Sequence, residues 1–193
     1  FNAQLAVKHQ FSDRIQAGLE FQYGSARYRF VETFAMREGY SYTITAPVSY
    51  LITNNESIQL IGIGALGIRN QGIDNPGGDL KPDSTLESTS IVGEIGLASA
   101  MRFSDKLMFQ GGISFPLAFE TDPSSIQEYT WVKLHAGAAY DLNRLSLFAH
   151  GNIGHAFGAS GDTYKYIWST EVGIRFRFGE IKNSSFFYLR PSF

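Results

Sequence analysis

The sequence predicts an all-β protein: an antiparallel, up-and-down transmembrane β-barrel of about ten strands, with eight as the alternative. Three observations predict it. Apolar and polar residues alternate with a period of two through nearly every segment, and helical periodicity is almost absent. Tight polar turns take turns with longer links, so one rim is short-turned and the other long-looped. Each segment has one large apolar face and one face of small polar residues.

Composition narrows the class. The 193 residues suffice for a single domain over 1–193 with a core of ordinary size. Hydrophobic residues make up 44% and the mean hydropathy is −0.11. No run approaches the ~18–20 apolar residues of a membrane helix, which excludes a helical membrane protein. With 18% charged residues and a net charge of −2, the chain carries no nucleic-acid footprint. The absence of cysteine excludes disulfides, thiolate metal sites and a cysteine nucleophile. Phe1 falls inside an alternating segment, so a processed or truncated chain is expected.

The expected strands cover 3–11, 15–30, 40–53, 58–70, 89–103, 107–120, 129–141, 145–157, 163–178 and 185–192. Most exceed the ~5–6 residues usual in soluble sheets. Nearly all reach the ~9–11 residues that cross a bilayer as a tilted strand. "SDR" (12–14), "NNES" (54–57), "SDK" (104–106) and "NR" (143–144) are the tight turns. The links between them are "VETFAMREG" (31–39), "NQGIDNPGGDLKPDSTLE" (70–87), "TDPSSIQE" (121–128) and "GASGDT" (158–163). Hairpin neighbours joined this way make a meander that closes on itself.

Alternation alone leaves open which face points inward; side-chain size decides. Segment 40–53 sets Tyr40, Tyr42, Ile44, Val48, Tyr50 and Ile52 against Ser41, Thr43, Thr45, Pro47, Ser49 and Leu51. Segment 107–120 sets Leu107, Phe109, Ile113, Phe115, Leu117 and Phe119 against Met108, Gln110, Gly112, Ser114, Pro116, Ala118 and Glu120. A face washed by bulk water has little reason to keep its side chains small, whereas a narrow barrel interior does. The wide apolar face then meets lipid, with aromatic girdles at its two edges. Tyr164, Tyr166 and Trp168 fall toward the long-loop rim, and Phe176 and Phe178 toward the short-turn rim.

In this pattern the chain resembles the small outer-membrane β-barrels of Gram-negative bacteria, of OmpA/OmpX-like architecture. The segment "EVGIRFRF" (171–178) resembles their assembly signal, with Glu171, Gly173, Phe176 and Phe178 at its defining positions. The resemblance implies that the barrel-insertion machinery reads this segment and that it ends at the periplasmic rim. The strand phrasing and the ending "FFYLRPSF" resemble barrels of the Bacteroidota. Family members keep both termini periplasmic, yet fifteen residues follow the signal here. Either a strand precedes Phe1, or 185–192 forms a tenth strand that pairs with the first. The second is favoured, because an unpaired edge in hydrocarbon costs several kcal/mol per polar group.

The expected inner face carries Lys8, Glu20, Glu94, Arg102, Glu120, Lys133, Asp141, Lys165, Glu171, Arg175 and Arg177. Enclosed charges are costly unless paired. A salt-bridged network filling the interior is therefore expected, with Glu20, Glu94, Lys133, His135, Glu171 and Arg175 near its centre; Arg177 joins it toward the rim. The alternative is a narrow, porin-like channel lined by mixed charge. His150 and His155, five apart, fall on opposite strand faces, which suits no shared metal. Outer-membrane lipases place a His and a Ser two residues apart on one strand face. His150-Gly151-Asn152 and His155-Ala156-Phe157 both lack that serine. No paired carboxylates of a rim protease are found either. Asp74, Asp79, Asp83 and Glu87 in the longest link lack a calcium-loop spacing and are expected to be solvated.

The expectation is a non-catalytic barrel without cofactor or metal, a structural or interaction component acting through its exposed loops. A lipid- or peptide-modifying enzyme is the third reading. Expected partners are outer-membrane lipid and lipopolysaccharide, the barrel-assembly machinery and other envelope proteins, but no nucleic acid. Arg27, Tyr28, Arg29, Phe30 and Phe34 near the outer rim form a mixture that suits contact with anionic lipopolysaccharide or a partner protein, and equally suits strands extended beyond the bilayer.

Overall fold

The alternating segments pair in chain order. The computed structural model describes residues 2–29, 36–55, 57–75, 84–120, 130–157 and 166–178. They form nine strands: β1 (Asn2–Gln10), β2 (Ile15–Arg29), β3 (Met36–Asn54), β4 (Ile58–Asn75), β5 (Ser84–Arg102), β6 (Leu107–Glu120), β7 (Thr130–Leu142), β8 (Leu145–Phe157) and β9 (Tyr166–Phe176). All belong to one antiparallel sheet in the order β1 to β9, and none of the described residues is helical. Nine strands set aside the eight-stranded alternative. The expected tenth strand, 185–192, lies outside the described residues.

The sheet curls so that one face becomes an interior. Glu20, Glu94 and Ser90 on that face retain 2%, 2% and 0% of their accessible surface. Leu66, Ile95 and Val172 on the opposite face retain 65%, 61% and 82%. Polar residues are inside and large apolar ones outside, the reverse of a water-soluble domain. On β3 the outer apolar run spans Tyr42 to Ile52, about 33 Å at the rise of an extended strand. Tilted by ~45° it covers ~24 Å, close to the apolar band of a membrane barrel.

The short turns are built locally. Ser12 Oγ accepts from the Arg14 and Ile15 N–H groups at 3.3 and 3.1 Å, and Ser104 Oγ from those of Lys106 and Leu107 at 3.4 and 3.1 Å. The two turns share a five-residue phrase, Phe11-Ser12-Asp13-Arg14-Ile15 and Phe103-Ser104-Asp105-Lys106-Leu107. Asn55 Oδ1 plays the serine's part for Ser57 and Ile58, at 3.1 and 2.6 Å. The β7–β8 turn has only Asn143 and Arg144, with Asn143 at φ 65°, a left-handed conformation that asparagine tolerates.

At the other rim the structure corrects the expected links. β3 begins at Met36, β4 runs to Asn75 and β5 begins at Ser84, so the ladder continues well into segments expected to be loops. Asn75 pairs with Ser84 and Gly39 with Ile73. Asp74 and Glu87 therefore sit on strands, not in a solvated acidic loop; Asp79 and Asp83 lie outside the described residues.

Candidate functional site

The inner face is the candidate site, because it gathers most of the buried polar chemistry. Three side-chain contacts there each pass over an intervening strand. Lys133 on β7 pairs with Glu94 on β5 across β6, with Nζ to Oε1 at 3.5 Å. Gln110 on β6 meets His150 on β8 across β7, with Nε2 to Nε2 at 2.7 Å. Asp141 on β7 pairs with Arg177, just beyond β9, across β8.

Small residues make these crossings possible. Gly137 is the register partner of both Gln110 and His150, so the contact runs directly above it. A Cβ at Gly137 would come within 2.1 Å of the His150 ring. Ser146 is the register partner of Asp141 and of Arg175, and its Oγ accepts from Arg175 Nη2 and Arg177 Nη2, each at 3.2 Å. Arg177 also donates through Nη1 to the Asn143 carbonyl at 3.2 Å. Beneath the Glu94–Lys133 pair lies Ser114, fully buried and in register with Lys133.

The expected site residues thus fall into separate groups. Glu94 and Lys133 meet at mid-height, with buried His135 beside Lys133 on the same face of β7 and its ring over Gly112. Arg175 and Arg177 belong to a second group at the short-turn rim, with Asp141 and Ser146. Glu171 is in register with His150 and acts on its ring electrostatically, as does Lys8 from β1. Glu20 is buried on β2, in register with Ala6 and Thr45. Arg102, in register with the buried Met108, stands on the inner-face side at the end of β5 and is exposed there. The side chains of Glu120 and Lys165 lie outside the described residues.

Between mid-height and the short-turn rim, the inner face turns apolar. Leu51, Ile61, Ile63, Ala98, Ala100, Met108 and Ala139 form one buried cluster, with Phe148 packed against it. Phe148 also stacks on His150, with ring centroids 5.0 Å apart, and lies where a side chain at Gly173 would be. Sequence reasoning missed this layer, and it missed Gln110 and Ser146 as partners of the charged groups. Among the described residues no three metal-ligating side chains gather.

The segment 171–178 is split between the faces. Phe176 and Phe178 project outward with centroids 4.8 Å apart, while Glu171, Gly173, Arg175 and Arg177 face inward. Trp168 is exposed on the outer face; Tyr164 and the Tyr166 side chain lie outside the described residues. A further aromatic group, unread in the sequence, joins Phe21, Tyr23, Tyr40 and Tyr42 on the outer face toward the long-loop rim. Tyr40 reaches over Gly72 to donate to Glu87 Oε1 at 2.9 Å.

No family model and no curated protein matches the sequence. Among solved structures, the chain is similar to a FadL homologue from Pseudomonas aeruginosa, at 10% identity and a TM-score of 0.41. The match covers 94% of this chain and 66% of the other, so the chain spans just under two thirds of that protein's length.

Proposed function

We propose that the chain is the membrane-embedded wall of a bacterial outer-membrane β-barrel, non-catalytic and non-conducting. It would act as a structural or interaction component through its long-loop rim and its envelope partners. The reversal of polarity across the sheet carries this reading. An apolar outer face with a band ~24 Å tall needs a hydrocarbon environment. A sheet can live there only when its backbone groups are paired, which favours a closed barrel over an open sheet. The resemblance of Glu171–Phe178 to an assembly signal supports the outer membrane and a periplasmic short-turn rim.

The paired charges and the apolar layer on the inner face favour a wall over a channel. Charged groups are drawn into pairs across neighbouring strands, and the apolar cluster from Leu51 to Phe148 occupies the short-turn half. Water and ions gain nothing from such a layer. The missing serine beside His150 and His155 speaks against a lipase-like enzyme.

Conductance of the folded chain in a planar lipid bilayer tests this. The expected result is insertion, seen as heat-modifiable migration on a gel, without conductance steps. Reproducible steps whose ion selectivity changes in Glu94→Gln would overturn it in favour of the channel. Replacing the long links while the barrel still inserts then locates the interaction: a lost phenotype assigns it to the loops.

A further inference from the structure

A cleft of about 590 Å³ opens at the short-turn rim, where the β5–β6 turn, the β7–β8 turn and the residues after β9 converge. That volume lies within the ~300–1,000 Å³ range of small-molecule sites. Its walls carry three cations, Lys106, Arg144 and Arg177, and two carboxylates, Asp105 and Asp141. Asp141 is neutralised by Arg177, which is held in place by Ser146 and the Asn143 carbonyl. Lys106 and Arg144 are exposed and form no ion pair among the described residues. The cleft is therefore cationic, with Asp105 as the one opposing charge not taken up by Arg177.

Apolar surface lies directly beside it. Leu142 lines the cleft and is 44% exposed, and Phe103 stands exposed at the start of the β5–β6 turn. Lys106 precedes Leu107, and Arg144 precedes Leu145, each a single residue from the edge of the outer apolar band. One residue of extended chain is ~3.3 Å, so both cations sit at the depth of lipid headgroups if the band spans the bilayer. An anion that satisfies this arrangement carries its charge next to an apolar chain.

We propose that the cleft binds the headgroup phosphate of an anionic phospholipid in the leaflet at the short-turn rim, with Lys106 and Arg144 as its cations. Arg177, locked by Asp141, shapes the floor, and the acyl chains lie along Leu142 and the neighbouring outer face. The proposal rests on the membrane reading above, and the test separates the two.

The folded chain is inserted into phosphatidylcholine vesicles, with and without phosphatidylglycerol, then extracted for native mass spectrometry of retained lipid. Retention of phosphatidylglycerol over phosphatidylcholine is expected, and the double variant Lys106→Gln, Arg144→Gln should weaken it on the order of 20-fold. Both residues are exposed and the Ser104 Oγ contacts remain, so the variant should fold; its heat-modifiable migration verifies that. Asp105→Asn should strengthen retention. Equal retention of the two lipids, or unchanged retention by the double variant, overturns the proposal while the membrane reading stands. Displacement of phosphatidylglycerol by millimolar inorganic phosphate overturns it in favour of a free-phosphate site. Failure to insert into phosphatidylcholine vesicles overturns the membrane reading and this proposal together.

Discussion

A methyl group placed on Gly137 would lie 2.1 Å from the His150 ring and 2.4 Å from the Ala149 carbonyl. One placed on Gly151, beside His150 but on the other face, would meet nothing nearer than 3.9 Å. The contrast recurs along the wall. Inner glycines 18, 67, 96, 112 and 173 would meet neighbouring atoms at 2.0–2.5 Å, whereas outer glycines 62, 64 and 93 have 3.6–3.8 Å and Gly111 has 3.2 Å; Gly72, under the Tyr40 ring at 2.5 Å, is the outer exception. At Gly18, Gly67, Gly96 and Gly112 the nearest atom is a backbone carbonyl of the adjacent strand. Inner glycines are thus points where strands approach closely and the sheet bends, as barrel corners require. Outer glycines, Gly72 apart, are gaps in a lipid-facing surface. The same residue type does opposite work on the two faces.

Substitutions can break or sharpen that comparison. The largest effect is expected from a charge on the outer face. Ile95→Arg, in the apolar band, should cost about 2–4 kcal/mol in urea titrations of folding into vesicles. An undiminished midpoint would mean that the outer face does not meet lipid. Next comes overpacking of the inner face: Gly137→Val should cost ~1–3 kcal/mol, because the branch collides with His150 and lifts Gln110 from its partner. Gln110→Ala removes that hydrogen bond and should cost ~1 kcal/mol in the same titration. At the bottom of the range, Gly64→Ala on the outer face should stay within ~0.5 kcal/mol, its Cβ at ordinary contact distance from the Glu94 carbonyl. If Gly64→Ala and Gly137→Val cost alike, the distinction between the two kinds of glycine fails.

The faces were legible because alternation reports them strand by strand. Thr43, Thr45 and Ser49 against Ile44, Val48 and Tyr50 leave one assignment once side-chain size is weighed. Strand ends were less legible. Around Arg37, Glu38, Gln71, Asp74 and Thr85 both faces are polar, so alternation fades although the hydrogen-bonded ladder continues. The partners on the inner face were not legible at all, since Gln110 finds His150 two strands away through a register that no single strand encodes. The turn phrase shared by residues 11–15 and 103–107 was open to reading and went unread. Its physical content, a serine side chain closing the turn, emerges only from the hydrogen bonds.

Among the described residues, every neighbour in the sheet is also a neighbour in the chain. Each hairpin consequently carries its own pairing instructions, and only the closure of a barrel calls on a segment distant in the chain. A wall of this kind can be widened or narrowed by copying or deleting two strands at a time, without rewriting the rest. Its ancestry is therefore best sought in units of hairpins.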